Sequence, residues 1–480
     1  MKFKLILVSI LTLMMSCQSS QVRQPNQDNT TPMDSSIEFD FIHTQQNCKV
    51  PIDEAKGLFH KKTFCLNNNN EDLKPTTEMS GMVKVALQHL DSTLVDPLNS
   101  KVSVAYFSFS NKGIQRKFCE ISSKGVQVRV FLDNGSAGQI DEQVMNNPAC
   151  RDSEGKLNVR LSYLGGNTTA GSGGIWQLHH NKFMMIETPN NKVRLNFSSG
   201  NLSSFGTSLH LDHWVMTKAP AGSNLIRAHK CVMSGLEAAS EKAKEDEVGG
   251  KEIGQSYIVE REKCFDEQNV IPRESLADTN VQIAKALGSE EIAPLYSPNN
   301  NKYVEKAFID ALGRVPKGGY IYIAIQHFLH PGVSFALTKA AQRGVDVRIV
   351  MDDDALRGES EVPGVDVMIK KLVLVKGIQI RFAETNRQAG GNGALMHNKF
   401  AILNGEMTFS GAGHYTNAAL NVNWENFYFA KNNTVLNSYS KYFNELWNES
   451  VDFNYTISKG AKESSVPSKL GTMFLQKLTQ

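Results

Sequence analysis

The chain has 480 residues, more than one hydrophobic core usually serves, so two or more domains are expected. Hydrophobic residues at 41% and charged residues at 21% exclude a mostly disordered chain. With 51 Lys and Arg against 49 Asp and Glu, the net charge of +2 excludes a whole-protein polyelectrolyte attraction to nucleic acid.

Lys2 and Lys4 precede the apolar run from Leu5 to Met15, and Ser16-Cys17 follows. A positive start, an apolar stretch eleven residues long and a small residue before the cut predict a secretory signal over 1–17. That run is too short for a bilayer span, which takes about 20 residues. The ending LMMSC resembles a bacterial lipoprotein signal, with Cys17 as the lipidated first residue of an exported, membrane-anchored protein of the cell envelope. Residues 18–78 then read as a polar tether and lead-in. Six cysteines remain: Cys48, Cys65, Cys119, Cys150, Cys231 and Cys264. Outside the cytosol they suggest disulfides; of 15 possible pairings the simplest joins sequence neighbours, 48–65, 119–150 and 231–264. No CxxC pair marks a zinc site.

The next elements occur twice. Val83, Leu87 and Leu90 repeat as Val304, Phe308 and Ala311, a helix face. AYFSF (105–109) returns as AIQHF (324–328), and GVQVRVFLD (125–133) as GVDVRIVMD (344–352), both after 219 residues. Between these strands lie helical patterns, Ile114, Phe118 and Ile121 against Val333, Leu337 and Ala340. Each copy continues with an NVRL or QIRF strand, a Gly-rich loop (165–174 or 389–393), two strands and a final helix. Alternating strands and helices predict an α/β fold, two tandem α-β-α repeats (79–240 and 299–452) packed about a pseudo-twofold axis. The charged run EKAKEDEVGGKE opens a segment, 241–298, that reads as a solvated linker, and 453–480 reads as a polar tail.

Inside each repeat stands His-x-Lys-Phe and an apolar strand: His180 and Lys182 in HHNKFMMIE, His397 and Lys399 in MHNKFAILN. On a strand the two side chains of each pair share a face. One such pair carries no signal; two at matching places of a duplicated domain do. After the next strand, FSSGNLSSF (197–205) matches FSGAGHYTN (409–417), aligning Asn201 with His414 and Ser203 with Thr416. Eleven residues beyond these come the acids Asp212 and Glu425, preceded two residues earlier by His210 and Asn423. Asn404-Gly405 predicts a tight hairpin, where the first copy has the longer ETPNNK loop.

In these residues the chain resembles the phospholipase D superfamily, whose pattern is H-x-K-x4-D, then G-S-x-N, then N-x-E. The resemblance implies one active site shared by the two repeats and metal-independent phosphodiester chemistry without a cofactor. It implies that His180 attacks phosphorus to form a phosphohistidine while His397 serves as general acid and then base. Asp212 and Glu425 are expected to orient the imidazoles, and Lys182 and Lys399 to hold non-bridging phosphoryl oxygens. Asn201, Ser199, Ser203, His414 and Thr416 are the expected phosphate-binding side chains. The chain departs from the pattern at Glu187 and Asn404, where the motif Asp is expected, at His414 in place of Asn, and at His210-x-Asp212. Glu187 and Asn404 fall where strands enter turns, which points to structural roles. His179, His213, His327 and His330 are expected as packing or surface residues.

The motifs specify a reaction rather than a substrate. An exported, lipid-anchored protein meets phospholipid head groups, so phospholipid hydrolysis to phosphatidic acid is the leading expectation. A nucleic-acid phosphodiesterase is the runner-up, and a catalytically silent phosphate- or lipid-binding surface protein the alternative of another class. Oligomeric state is not legible.

Overall fold

The computed structural model describes residues 36–44, backbone strands at 48–49, 52–53, 58–59, 64–66 and 72–73, and most of 81–452. Within that last span, 137–147, 152–153, 155–157, 166–176, 204–205, 208–209, 246–247, 276–277, 300, 354, 356–363 and 384–394 are outside the description. The signal with Cys17, the tether up to residue 35, most of both Gly-rich loops and the tail therefore lie outside the described residues.

Repeat 1 opens with β1 (Glu38–His43) and continues through α1 (Gly81–Asp91), β2 (Lys101–Tyr106), α2 (Lys112–Ser123), β3 (Gln127–Asp133) and β4 (Val159–Leu164). It ends with β5 (Lys182–Glu187), β6 (Lys192–Ser198), β7 (His213–Pro220) and α3 (Asn224–Lys242). Then come α4 (Gly250–Glu267) and α5 (Thr279–Glu290). Repeat 2 opens with β8 (Ile292–Ser297), α6 (Tyr303–Arg314), β9 (Tyr320–Ile325), α7 (Pro331–Gln342) and β10 (Asp346–Asp352). It continues with α8 (Val365–Leu372), β11 (Ile378–Ala383), β12 (Lys399–Leu403) and β13 (Met407–Gly411). Its last elements are α9 (Asn417–Asn421), β14 (Glu425–Ala430), α10 (Asn433–Glu449) and β15 (Val451–Asp452).

The two sheets have the same order, β1-β7-β6-β5-β2-β3-β4 and β8-β14-β13-β12-β9-β10-β11, the second extended by β15. In each, three parallel strands are joined to an antiparallel half through the strand that follows the first helix. The mixed α/β fold with a duplicated domain is thus as expected, and the helix faces read from the sequence turn inward in α1, α2, α6 and α7, with only Leu87 and Ala311 of those residues partly exposed.

Strand alternation partitions the core. Phe183 and Met185 of β5 join a central cluster with Phe400 and Ile402 of β12 and with residues of α3 and α10. Met184 and Ile186 face the other way, onto α1 and α2, and Ala401 and Leu403 face α6 and α7. Strands buried on both faces read as continuous apolar runs, which is why MMI and FAIL are so legible.

Two expectations change. Segment 241–298 is not a solvated linker: α4 buries Tyr257, Arg261 and Phe265, and β8 is an edge strand of the second sheet. Lys244 and Glu245 lie in the turn that follows α3, while the apolar residues of α4 pack inward. The lead-in is not wholly a tether, because β1 pairs antiparallel with β7 from Glu38↔Lys218 to His43↔His213. Of the cysteine pairs, 119–150 and 231–264 are disulfides, the second tying α3 to α4. Strand register sets Cys48 opposite Cys65.

Candidate active site

Two backbone ladders join the repeats. His180 N donates to Trp424 O (2.9 Å) and Trp424 N to Leu178 O (2.9 Å). At the matching place His397 N donates to Leu211 O (3.0 Å) and Leu211 N to Leu395 O (2.8 Å). Each ladder pairs the residue before an acid with the approach to the other repeat's motif histidine. The acids are thereby exchanged: His180 Nδ1 lies 2.7 Å from Glu425 Oε2, and His397 Nδ1 lies 3.0 Å from Asp212 Oδ1.

A second layer holds this frame. Asp133 and Asp352, the last residues of β3 and β10, accept the backbone N–H of His179 (2.8 Å) and Met396 (2.6 Å), just before the motif histidines. Thr44 Oγ1 donates to His210 O (2.5 Å) and accepts from Asp212 N (2.9 Å). Its counterpart at the end of β8, Ser297 Oγ, donates to Asn423 O (2.7 Å). Asp212 Oδ1 also accepts from Ser199 Oγ (2.7 Å), and Glu425 Oε1 from Asn423 Nδ2 (3.2 Å). Gly200 lets the chain pass behind the acid, since a Cβ there would stand 2.8 Å from Asp212 Oδ2.

Lys182 Nζ sits 2.8 Å from His180 Nε2, and Lys399 Nζ donates to His397 O at 2.6 Å. Lys182, Lys399, Asp212 and Glu425 have 0% exposure, whereas His180 and His397 keep 6% and 7%, so the imidazoles are what a ligand meets first. Burial pushes every group toward its neutral form. Glu425 is raised to about 8, with Lys182 opposing, and Lys182 is lowered to about 7, with Glu425 and Asp212 opposing. Asp212 is raised by burial against the pull of Lys399. Both histidines lie well below 6.5, first from burial and then from the ammonium of Lys182 for His180 and of Lys399 for His397. A phosphoryl anion entering this site reverses the sign of the local field and favours the protonated imidazole.

The structure therefore brings His180, Lys182, His397, Lys399, Asp212 and Glu425 together. The expected phosphate binders divide. Ser199 is a correction, because its proton goes to Asp212. Ser203 and Thr416 are also corrections: Ser203 Oγ accepts from Gly206 N (2.9 Å) and Thr416 Oγ1 from Ala419 N (3.2 Å), so each caps its own turn. Asn201 and His414 remain as candidates. The His414 ring stands 5.7 Å from His180 and 5.6 Å from His397, centroid to centroid.

His327, expected as packing, joins the site instead, its ring 4.5 Å from that of His414. The end of β9 puts it there, since repeated strand ends in α/β folds face the functional crevice. His210 also reaches the site, 5.6 Å from His397. His213 and His330 are structural: His213 Nδ1 meets Asn398 Oδ1 (2.9 Å) and His330 caps α7 through Val333 N. Glu187 pairs with Lys230 (2.5 Å) at the end of β5, and Asn404 and Gly405 take positive φ (54° and 67°) in the β12–β13 turn. Asp133, Asp352 and Thr44 were missed by sequence reasoning, although the aspartates close the repeated nonapeptide and carried a usable signal.

Among the described residues, no group of three or more His, Cys, Asp or Glu is disposed to hold a metal ion, and no helix is long and apolar enough to cross a membrane. Lys182→Met removes the ammonium expected to hold the phosphoryl oxygens; kcat on any phosphodiester turned over should fall about 10²–10³-fold in steady-state assays.

Comparison with known proteins agrees with this geometry. Residues 317–447 match a family model described as "Cardiolipin synthase, PLD-like domain". Mitochondrial cardiolipin hydrolase of Xenopus laevis is 26% identical over 122 residues, 25% of this chain and 51% of that protein. The Chlamydomonas reinhardtii protein of the same name is 26% identical over 140 residues, 29% and 56%. The chain spans about half the length of the curated relatives it matches. In fold, phosphatidylserine synthase of Haemophilus influenzae superposes with a TM-score of 0.52 at 11% identity, covering 82% of this chain and 91% of that one. With the H-x-K pair present twice and each histidine bound by the other repeat's acid, the chain carries the paired motif of the phospholipase D superfamily, and its second repeat matches the PLD-like domain.

Proposed function

We propose that this protein is a phosphodiester hydrolase that cleaves phospholipid head groups through a phosphohistidine, without a metal. The exchanged His–carboxylate pairs carry the reading. A carboxylate at Nδ1 fixes the tautomer that leaves Nε2 toward the ligand and stabilises the imidazolium. His180, with Glu425 at Nδ1 and Lys182 facing Nε2, is poised as the neutral nucleophile. Its Nε2 attacks phosphorus and the alcohol leaves with a proton from His397; water, deprotonated by His397, then cleaves the P–N bond. The lysines, released from their resting partners, hold the non-bridging oxygens.

Two observations support phospholipid as the substrate class. The sequence relatives are proteins named for cardiolipin hydrolysis, and the near-balanced charge offers no general pull on nucleic acid. Lipidation at Cys17 and placement in the bacterial envelope belong to the same proposal and would bring the site to a lipid surface. The purified protein from residue 18 onward should release head group from cardiolipin or phosphatidylcholine vesicles in EDTA, with single-stranded DNA uncut. Cleavage of DNA alone would move the substrate to nucleic acid, loss of cleavage in EDTA would remove the metal-free mechanism, and no cleavage of any diester would leave a binding protein.

A further inference from the structure

The two repeats differ at one position that matters for a phosphate. Asn201 in the first is matched by His414 in the second. His414 Nδ1 is shut from solvent and has no hydrogen-bond partner among the described residues, and Asn201 Oδ1 is in the same state. A buried polar atom left unpaired is costly, and two of them at matching positions of the repeats point to a ligand that completes both. The oxygen and nitrogen of the Asn201 amide exchange places by a flip, so its NH₂ is available to an anion. The His414 ring is set almost equally from both motif imidazoles, at 5.7 and 5.6 Å, where a phosphoryl group bridging them would lie against it.

We propose that His414 binds a non-bridging phosphoryl oxygen as an imidazolium, so that each phosphodiester anion enters the site together with a proton drawn from solvent. An amide at this position donates its hydrogen bond at every pH; an imidazole needs both ring nitrogens protonated to act as a cation. The inference rests on the phosphodiesterase reading and adds the proton linkage of its substrate. The groups facing His414 are His180, with Lys182 beside it, His397 and Lys399 on the second motif, and His327 beyond β9; Asp212 and Glu425 stand behind the motif imidazoles, at their Nδ1 atoms. Burial, then Lys399 and the three histidines, hold the His414 ring well below 6.5 in the empty site. The ring is therefore neutral until an anion arrives and offsets those cations.

Dimethyl phosphate is a suitable probe because it stays a monoanion across the working range. Its binding is followed by calorimetry at pH 7 in buffers of different ionisation enthalpy, which counts the protons taken up. The acid His397 accounts for one proton in either protein. The wild type should take up about one more than His414→Asn, and its affinity should fall about tenfold more per pH unit as pH rises. Equal uptake in the two proteins, or no binding to the wild type, overturns the proposal. Should His414→Asn fail to fold, nitrogen NMR of the wild-type imidazoles reads the same point. The His414 pair must move to the imidazolium pattern on adding dimethyl phosphate, and a ring that stays neutral overturns the idea. Lack of turnover in the vesicle assay would sink the hydrolase reading while leaving this binding measurement intact, so the two fail separately.

Discussion

His180→Asn should release no nitrophenolate from bis(p-nitrophenyl) phosphate, whereas His397→Asn should release about one equivalent per enzyme and then stall. The asymmetry follows from the chemistry of the two steps. Nitrophenolate leaves without help from an acid, so the first step needs the nucleophile and not His397. Hydrolysis of the phosphohistidine needs a base for water, and that step is blocked when His397 is gone. Steady turnover should fall about 10⁴-fold or more in both variants, because residues acting as one unit are not additive. Stopped-flow absorbance measures the burst, and acid-labile phosphate on the protein identifies the adduct. The resting geometry favours this order: Lys182 lies 2.8 Å from His180 Nε2 and keeps that imidazole neutral with a lone pair at the reacting nitrogen. A burst from His180→Asn and none from His397→Asn would reverse the roles. Undiminished turnover in either variant would take that histidine out of the reaction.

Why the motif pairs were legible and their support was not is a matter of distance along the chain. His180-x-Lys182 and His397-x-Lys399 are local, and strands buried on both faces leave no ambiguity about where they sit. The duplication then specified the fold, since matching strands must occupy matching places in two sheets. The exchange of acids between repeats was only implied by a shared site; the ladders at Trp424 and Leu211 make it a fact of register. Thr44 was invisible because β1 is separated from the rest of its repeat by the short strands of 48–73, and only pairing with β7 reveals it as the counterpart of Ser297. Segment 241–298 misled for a compositional reason. Its charges come first and catch the eye, while Tyr257, Arg261 and Phe265, the residues that bury α4, are spaced four apart behind them. Hydroxyls were over-read as well: Ser203 and Thr416 stand beside the site in sequence, yet a hydroxyl at the start of a turn is more readily taken by the backbone.

Glu425→Gln should lower kcat about 10⁴-fold, by the same logic that makes the buried acid of a catalytic triad indispensable. Glu425 Oε2 lies 2.7 Å from His180 Nδ1; once ionised it accepts that proton and leaves Nε2 free to attack. A glutamine can turn its NH₂ toward Nδ1, which selects the opposite tautomer and puts the proton on the reacting nitrogen; the imidazolium of the phosphohistidine also loses its counter-charge. KM should change far less than kcat, because in the proposed site the substrate phosphate meets the lysines and His414 rather than Glu425. A parallel drop in affinity for dimethyl phosphate would instead mean that the whole cleft had collapsed. Stability supplies a readout with a defined sign. Burial raises Glu425 from an ordinary 4.5 to about 8, so the folded protein holds a proton there that the unfolded chain has released. The contribution of this group is full below pH 4.5 and is lost as pH rises through 8. Removing the carboxylate also removes what holds the Lys182 proton, which leaves that group further below its unfolded value and acts in the same direction. Urea unfolding at pH 5 and pH 8 should therefore show the stability of Glu425→Gln improving relative to wild type as pH rises, with Glu425 alone contributing up to about 1.4 kcal/mol per unit. The opposite slope would mean that Glu425 is ionised throughout, as one half of a permanent ion pair with Lys182 or His180.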